Sequence, residues 1–172
     1  PGKSYALTIE NNALVLTVGP TTSGTGSYVW SAPGGGNWSD AGKWVAAPGT
    51  GAAGAAVRFD TTLTTSATVA LDQAATVGQL YFNSSNSYTL AAAGQTLTLD
   101  NNALPALLHL EQGRHTIFAP LALAEQTKVQ PYTGSSLTLA GTLSGTGNII
   151  KDGGGDLLIA SAGNTFTGGV RL

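Results

Sequence analysis

Cysteine and methionine are both missing from the 172 residues, and only 9% of the residues are charged. Without cysteine there are no disulfide staples and no thiolate metal centres. The lack of cysteine names no compartment, but it suits a chain that must cross an outer membrane unfolded, where an early disulfide would jam the passage. The charge content is far below the roughly 25% of ordinary soluble proteins. That leaves two explanations: residence in a bilayer, or a surface built from hydroxyls and amides. No run approaches the ~20 apolar residues of a spanning helix. The longest, such as Leu14-Val15-Leu16 and Leu157-Leu158-Ile159, are the size of strands. The composition therefore reads as neutral β-structure with Thr and Ser outside and Val, Leu and Ile inside. A net charge of −2 offers no electrostatic footprint for nucleic acid or an anionic membrane, so neither is expected as a partner. There is no initiator Met and no basic-then-apolar leader. Pro1-Gly2 and Val170-Arg171-Leu172 both read as cuts in a longer polypeptide.

The residues that are present point to many short strands. Over residues 4–18, Tyr5, Leu7 and Ile9 alternate with Ala6, Thr8 and Glu10, and Leu14, Leu16 and Val18 alternate with Val15 and Thr17. Asn11-Asn12 lies between and tolerates the positive φ of a tight turn, so 1–18 is expected to be a β-hairpin closing an upstream domain. Residues 19–27 hold nothing apolar to anchor them and read as a linker. Residues 28–60 carry all three tryptophans and are expected to form a cap on the solenoid of 61–172. From 61 to 172, strand candidates recur between turn residues. They include 68–71, 79–82, 88–90, 96–99, 107–110, 116–118, 128–130, 136–139, 148–150, 156–159 and 169–172. Only 103–112 could hold a brief helical turn.

Sandwich, barrel and solenoid are all compatible with so many short strands. Internal similarity favours the solenoid: Gly134-Ser-Ser-Leu-Thr-Leu-Ala-Gly141 echoes Gly94-Gln-Thr-Leu-Thr-Leu-Asp-Asn101. The stretch Leu143-Ser-Gly145-Thr-Gly147-Asn-Ile-Ile-Lys151-Asp-Gly153-Gly-Gly155-Asp-Leu157-Leu-Ile159 leads into Gly163-Asn164-Thr165-Phe166-Thr167-Gly168-Gly169. It resembles the passenger-associated transport repeat, also called the autotransporter-associated β-strand repeat. Phe166 stands where that family usually has Tyr, Val170 where it has Thr, and Asp156 where Thr or Ser is common. The Trp-rich segment is similar to stretches that open β-helical passengers in the same class of protein. The resemblance implies an all-β, right-handed parallel β-helix, exported and displayed at the bacterial outer surface, with the repeat assisting passage or folding of the passenger.

Candidate sites are few. Trp30, Trp38 and Trp44 with Tyr28 could form a platform on which a glycan stacks, or could plug the open end of the solenoid. Burial of large aromatic area favours the plug. His109-Leu-Glu111-Gln-Gly-Arg114-His115 holds both histidines. His109 and Glu111 share a strand face, but no recognised metal spacing results, and the segment reads as surface near a turn. Asp152-Gly-Gly-Gly-Asp156 is similar to calcium-binding turns of β-rolls. A single such turn cannot gather the six or more oxygens calcium takes. Thr-x-Thr pairs at 62–64, 96–98 and 165–167 are scattered rather than in one strand register, which argues against an ice-binding ladder. The nine carboxylates and seven Lys or Arg do not cluster as polysaccharide cleavage requires. No catalytic residue, metal or cofactor is expected. Three readings remain: a structural stalk of a surface protein, an adhesin module gripping a surface or environmental polysaccharide through the Trp cluster or a lateral sheet, and the non-catalytic part of a β-helical carbohydrate-active enzyme.

Overall fold

The computed structural model describes residues 3–10, 13–20, 26–60 and 63–172. Strands β1 (Lys3–Glu10) and β2 (Ala13–Pro20) pair antiparallel, from Lys3 opposite Pro20 to Glu10 opposite Ala13. The turn expected at Asn11-Asn12 lies outside the described residues, as do 21–25 of the expected linker.

From Ser27 onward the chain winds as a β-solenoid of about five turns, with essentially no helix among the described residues beyond one short 3₁₀ turn at Ala41–Lys43. The first coil contributes β3 (Ser27–Trp30) and β4 (Gly36–Asn37). The second holds β5 (Ala56–Phe59), β6 (Ala67–Leu71) and β7 (Ala75–Val77). The third holds β8 (Gln79–Asn83), β9 (Tyr88–Ala92) and β10 (Leu97–Leu99). The fourth holds β11 (Ala106–Gln112), β12 (Arg114–Ile117) and β13 (Leu121–Leu123). The fifth holds β14 (Thr127–Pro131), β15 (Ser136–Leu139) and β16 (Leu143–Gly145). Strands β17 (Ile149–Lys151), β18 (Asp156–Ile159) and β19 (Val170–Arg171) complete the stack. Equivalent strands of successive coils pair in parallel, giving sheets of seven, six and four strands. The Trp-rich segment belongs to the same sheets, because β3 pairs with β5 and β4 with β6.

The period-2 pattern decides which side chains enter the interior. Val57, Leu80, Leu108 and Val129 stack in one register, and Trp30, Phe59, Phe82, Leu110 and Pro131 in the next. From Val57 to Val129 in the first row, and throughout the second, these residues are buried. No coil can bury its inner side chains alone, so each depends on its neighbours for the roughly 1.5–3 kcal/mol that full burial of a Leu, Val or Phe contributes.

Where coils approach most closely, glycine is required. Gly145 has φ 98°, and a Cβ there would strike the Leu123 carbonyl of the coil below. Gly147 leaves no room for a Cβ against the Glu125 carbonyl. These are two of the glycines of the repeat-like motif.

Most of 103–112, which could have held a brief helical turn, is strand β11, in line with the strand candidate at 107–110. Asn102 and Ala103 before it take the left-handed conformation, with φ 56° and 63°, and the Glu125 carboxylate accepts the Asn101 and Ala103 N–H groups at 3.0 Å each. The segments 94–101 and 134–141, which echo one another in sequence, lie on different sides of the coil. Leu97 and Leu99 lie in the four-stranded sheet, whereas Leu137 and Leu139 lie in the six-stranded one. The shared feature is a glycine turn feeding a Leu-Thr-Leu strand, a local rule that serves more than one side of the coil.

Candidate functional site

The three indoles form one interlocked group. Trp44 meets Trp30 edge to face at 4.9 Å and Trp38 at 5.1 Å, and it rests on Phe59 at 5.9 Å. Every indole N–H is satisfied by a backbone carbonyl: Trp30 by Gly34 at 3.0 Å, Trp38 by Gly49 at 2.9 Å and Trp44 by Trp38 at 2.9 Å. Their exposures are 0%, 1% and 5%, and Tyr28 packs half-buried against the same core. A sugar needs an uncovered ring face, and these indoles turn theirs toward one another and toward Phe59. Asp72 ties this end to the second coil by accepting the Ser39 N–H at 3.0 Å and the Ser39 hydroxyl at 2.5 Å. The Ser39 hydroxyl bond, more than any other interaction, holds the Asp72 carboxyl below its ordinary pKa.

The outward face of the seven-stranded sheet carries a second constellation, to which the sequence contributed only His109 and Glu111. Strand pairing aligns Val29, Arg58, Tyr81, His109 and Gln130 in one outward row. The Arg58 guanidinium lies 4.6 Å from the Tyr81 ring centre, Tyr81 lies 5.6 Å from His109, and Tyr132 meets His109 edge-on at 5.1 Å. The Tyr81 hydroxyl donates to Gln79 at 2.5 Å, Gln112 donates to Asn83 at 2.8 Å, and Gln130 donates to Asp152 at 3.1 Å. On this face Arg58 lies 3.6 Å from Asp60 and Lys128 3.9 Å from Asp152, and the His109 imidazole lies 3.8 Å from the Glu111 carboxylate. Periodicity placed His109 and Glu111 on one face, but the neighbours from other coils are set by coil lengths that the sequence does not announce.

The two histidines part company. His109 is on the outward face, whereas His115, expected near the surface, is buried inside the six-stranded wall at 1% exposure. Its Nδ1 accepts the Tyr88 N–H at 3.0 Å, so Nε2 carries the proton and donates to the Gln112 carbonyl at 2.9 Å. The ring stacks on Phe82 at 4.8 Å. Burial pushes its pKa below the ordinary value, partly offset by the bond to Gln112. Asp152 and Asp156 both lie exposed at opposite ends of a glycine turn, and Asp152 faces Lys128 and Gln130. Among the described residues no group of three or more His, Asp or Glu is placed to hold a metal ion.

Threonines other than the pairs singled out from the sequence do line up. Thr68, Thr89, Thr116 and Thr138 stand in one register on the outward face of the six-stranded sheet. Each comes from a different spacing along the chain, so no Thr-x-Thr motif reveals them. Phe118 projects beside this row, 53% exposed, and interrupts its flatness.

The repeat-like motif has a structural job. Asn164 Oδ1 accepts the Leu143 N–H at 2.8 Å, and the backbone N–H groups of Thr165 and Thr167 reach the carbonyls of Leu143 and Gly145 at 2.8 and 3.0 Å. Phe166 packs beneath against the core. The Asn-Thr-Phe-Thr segment thus continues the four-stranded wall as an added rung.

A scan against protein-family models and searches of curated proteins and of solved structures returned no match to this chain.

Proposed function

We propose that this chain is a structural display segment of a large exported bacterial surface protein, non-catalytic in itself, which carries neighbouring parts of its own polypeptide at the cell exterior. The observation that carries the reading is the self-supporting stack, in which each coil is held by its neighbours through buried apolar rows and parallel ladders. Such a ladder can lengthen coil by coil without any long-range tie. Its neutral turns and absent cysteines suit a chain that crosses a membrane unfolded and folds outside. The glycine-dependent turns around Gly145 and Gly147 and the rung made by Asn164–Thr167 give the resemblance to transport repeats a physical basis.

The test is removal of one coil in register. Deleting 106–126 places Thr127 where Ala106 was, since those residues are paired partners in adjacent coils. The chain, tagged at its N-terminus and fused ahead of an outer-membrane translocator, is then assayed for surface exposure and resistance to added protease. A display segment keeps both after losing the coil. Loss of surface exposure by a deletion variant that still folds in isolation would refute the role.

A further inference from the structure

The geometry points to the outward face of the seven-stranded sheet as a binding strip for an extended neutral polysaccharide, lying along the solenoid axis across Tyr81, His109 and Tyr132. This is a ligand site on the lateral wall, separate from the Trp cap, and it holds whether or not the chain serves as a display segment.

The faces of the solenoid differ in what they offer a ligand. The six-stranded sheet shows solvent a row of Thr68, Thr89, Thr116 and Thr138 beside Ala70 and Ala91. The four-stranded sheet shows Thr76, Thr98, Ala122 and Ser144. Phe118 and Leu158 stand exposed singly on the six-stranded side, and the rest of both rows is small hydroxyls and methyls that give a ligand little to grip. The seven-stranded face instead carries two tyrosines, an imidazole and a guanidinium in contact with one another across coils. Tyr132 is 54% exposed and is free to offer ring surface to a pyranose, whose axial C–H bonds pack on an aromatic π-face.

The polar groups beside the rings suit sugar hydroxyls. Gln79, Gln130 and the Asn83–Gln112 pair flank the aromatic row, and each amide offers both a donor and an acceptor in one plane. Adjacent sugar hydroxyls present the matching pattern. The tyrosine, histidine and glutamine side chains hold one another in place, so little rotamer freedom remains to be lost on binding.

The ion pairs on this face favour a neutral chain. Arg58, His109 and Lys128 already face Asp60, Glu111 and Asp152. An anionic or cationic polymer would have to break these contacts along the central coils, where Tyr81, His109 and Tyr132 lie. Spacing also agrees: coils repeat at the parallel-strand separation of about 4.8 Å, close to the rise of one sugar in an extended β-linked chain. Successive rows can therefore meet successive sugars.

The experiment is affinity electrophoresis of the whole chain in native gels containing hydroxyethylcellulose, glucomannan or polygalacturonate, beside a gel with no polymer. Retardation by at least one neutral polymer is expected. Tyr132→Ala should weaken it by about tenfold, the effect of losing some 1.4 kcal/mol, with unchanged melting because the side chain is exposed. Thr116→Ala, on another face, should leave it unaltered. Absence of retardation in both neutral gels overturns the proposal, as does equal retardation of the Tyr132→Ala variant. Retardation confined to polygalacturonate and abolished by salt would make the face a charge-driven site and overturn it too. Sedimentation of the free chain as a dimer that Tyr132→Ala dissociates would assign the face to a second copy instead.

Discussion

The side-chain oxygen of Asn164 takes the N–H of Leu143 at 2.8 Å. In earlier coils the equivalent N–H groups of Leu97 and Leu121 go to the backbone carbonyls of Pro120 and Thr142. A side chain has replaced a main-chain acceptor, and the same amide donates back to the Ser161 carbonyl at 2.8 Å. Asn164→Ala should cost about 1–2 kcal/mol, because a partly buried donor is left unpaired. In a chain of this size that is a fall of a few degrees in Tm, about 2–4 °C per kcal/mol. Asn164→Asp, which keeps the acceptor, should recover much of the loss. Thermal melts of the two variants decide it, and equal melting of Asn164→Ala and the parent would remove the side chain from any role in the rung.

Thr127 is fully buried, and its hydroxyl oxygen has no hydrogen-bond partner. Its backbone is a regular rung, paired with Ala106 and Ile149. Thr127→Val keeps the shape and removes the unpaired oxygen, so denaturant midpoints should rise by the equivalent of about 1 kcal/mol. A lower midpoint would mean that the hydroxyl is satisfied in solution.

His115 gives the fold a pH dependence. In the unfolded chain it protonates near the ordinary histidine value of 6.5, while burial against Phe82 and Tyr88 holds the folded value lower. Between those two values the unfolded state binds more proton, so stability rises with pH. It should therefore be full above pH 6.5, fall as pH drops toward the folded value, and level off below it. Protonation of Nδ1 would also cost the bond from the Tyr88 N–H. His115→Gln offers an acceptor without a titration. Urea melts across this window should show a slope in the parent that is absent in the variant, and identical slopes would exclude His115 as the source.

Trp44 touches Trp30, Trp38 and Phe59 at once. Trp44→Ala should cost about 3–5 kcal/mol through the cavity it opens and should shift indole emission to the red. In the parent, acrylamide should quench the indoles only weakly. Strong quenching of all three would contradict their burial.

Much of the strand pattern was readable because alternation of apolar and polar residues is a direct record of which side of the wall each residue faces. Leu108 and Leu110 in β11, and Leu137 and Leu139 in β15, are examples. The weak points were the short strands. Ala75–Val77 and Leu121–Leu123 have only three residues each, and their Ala-Thr-Val and Leu-Ala-Leu sequences carry no alternation long enough to separate from a loop. Their positions come from the pairing of Leu97 with Ala75 on one side and Leu121 on the other. Lateral surfaces were harder still. The row from Arg58 to Gln130, like the row from Thr68 to Thr138, is assembled from one residue per coil, and the turns between coils differ in length. Burial of His115 is not legible in the sequence because an imidazole fits an inward position only when a specific N–H, here that of Tyr88, comes to meet it.

The interior row that runs Trp30, Phe59, Phe82 begins in wide rings and passes to Leu110 and Pro131. Phe59 and Phe82 lie stacked and nearly parallel at 5.2 Å, and His115 stacks on Phe82 in turn, so the coils nearest the indoles are packed ring to ring, while this row passes to aliphatic side chains beyond them. A pulling force or an invading protease would meet unequal resistance along the axis. Damage would spread from the aliphatic coils and halt at the aromatic ones, leaving a residual core that can serve as the template on which the lost turns wind back.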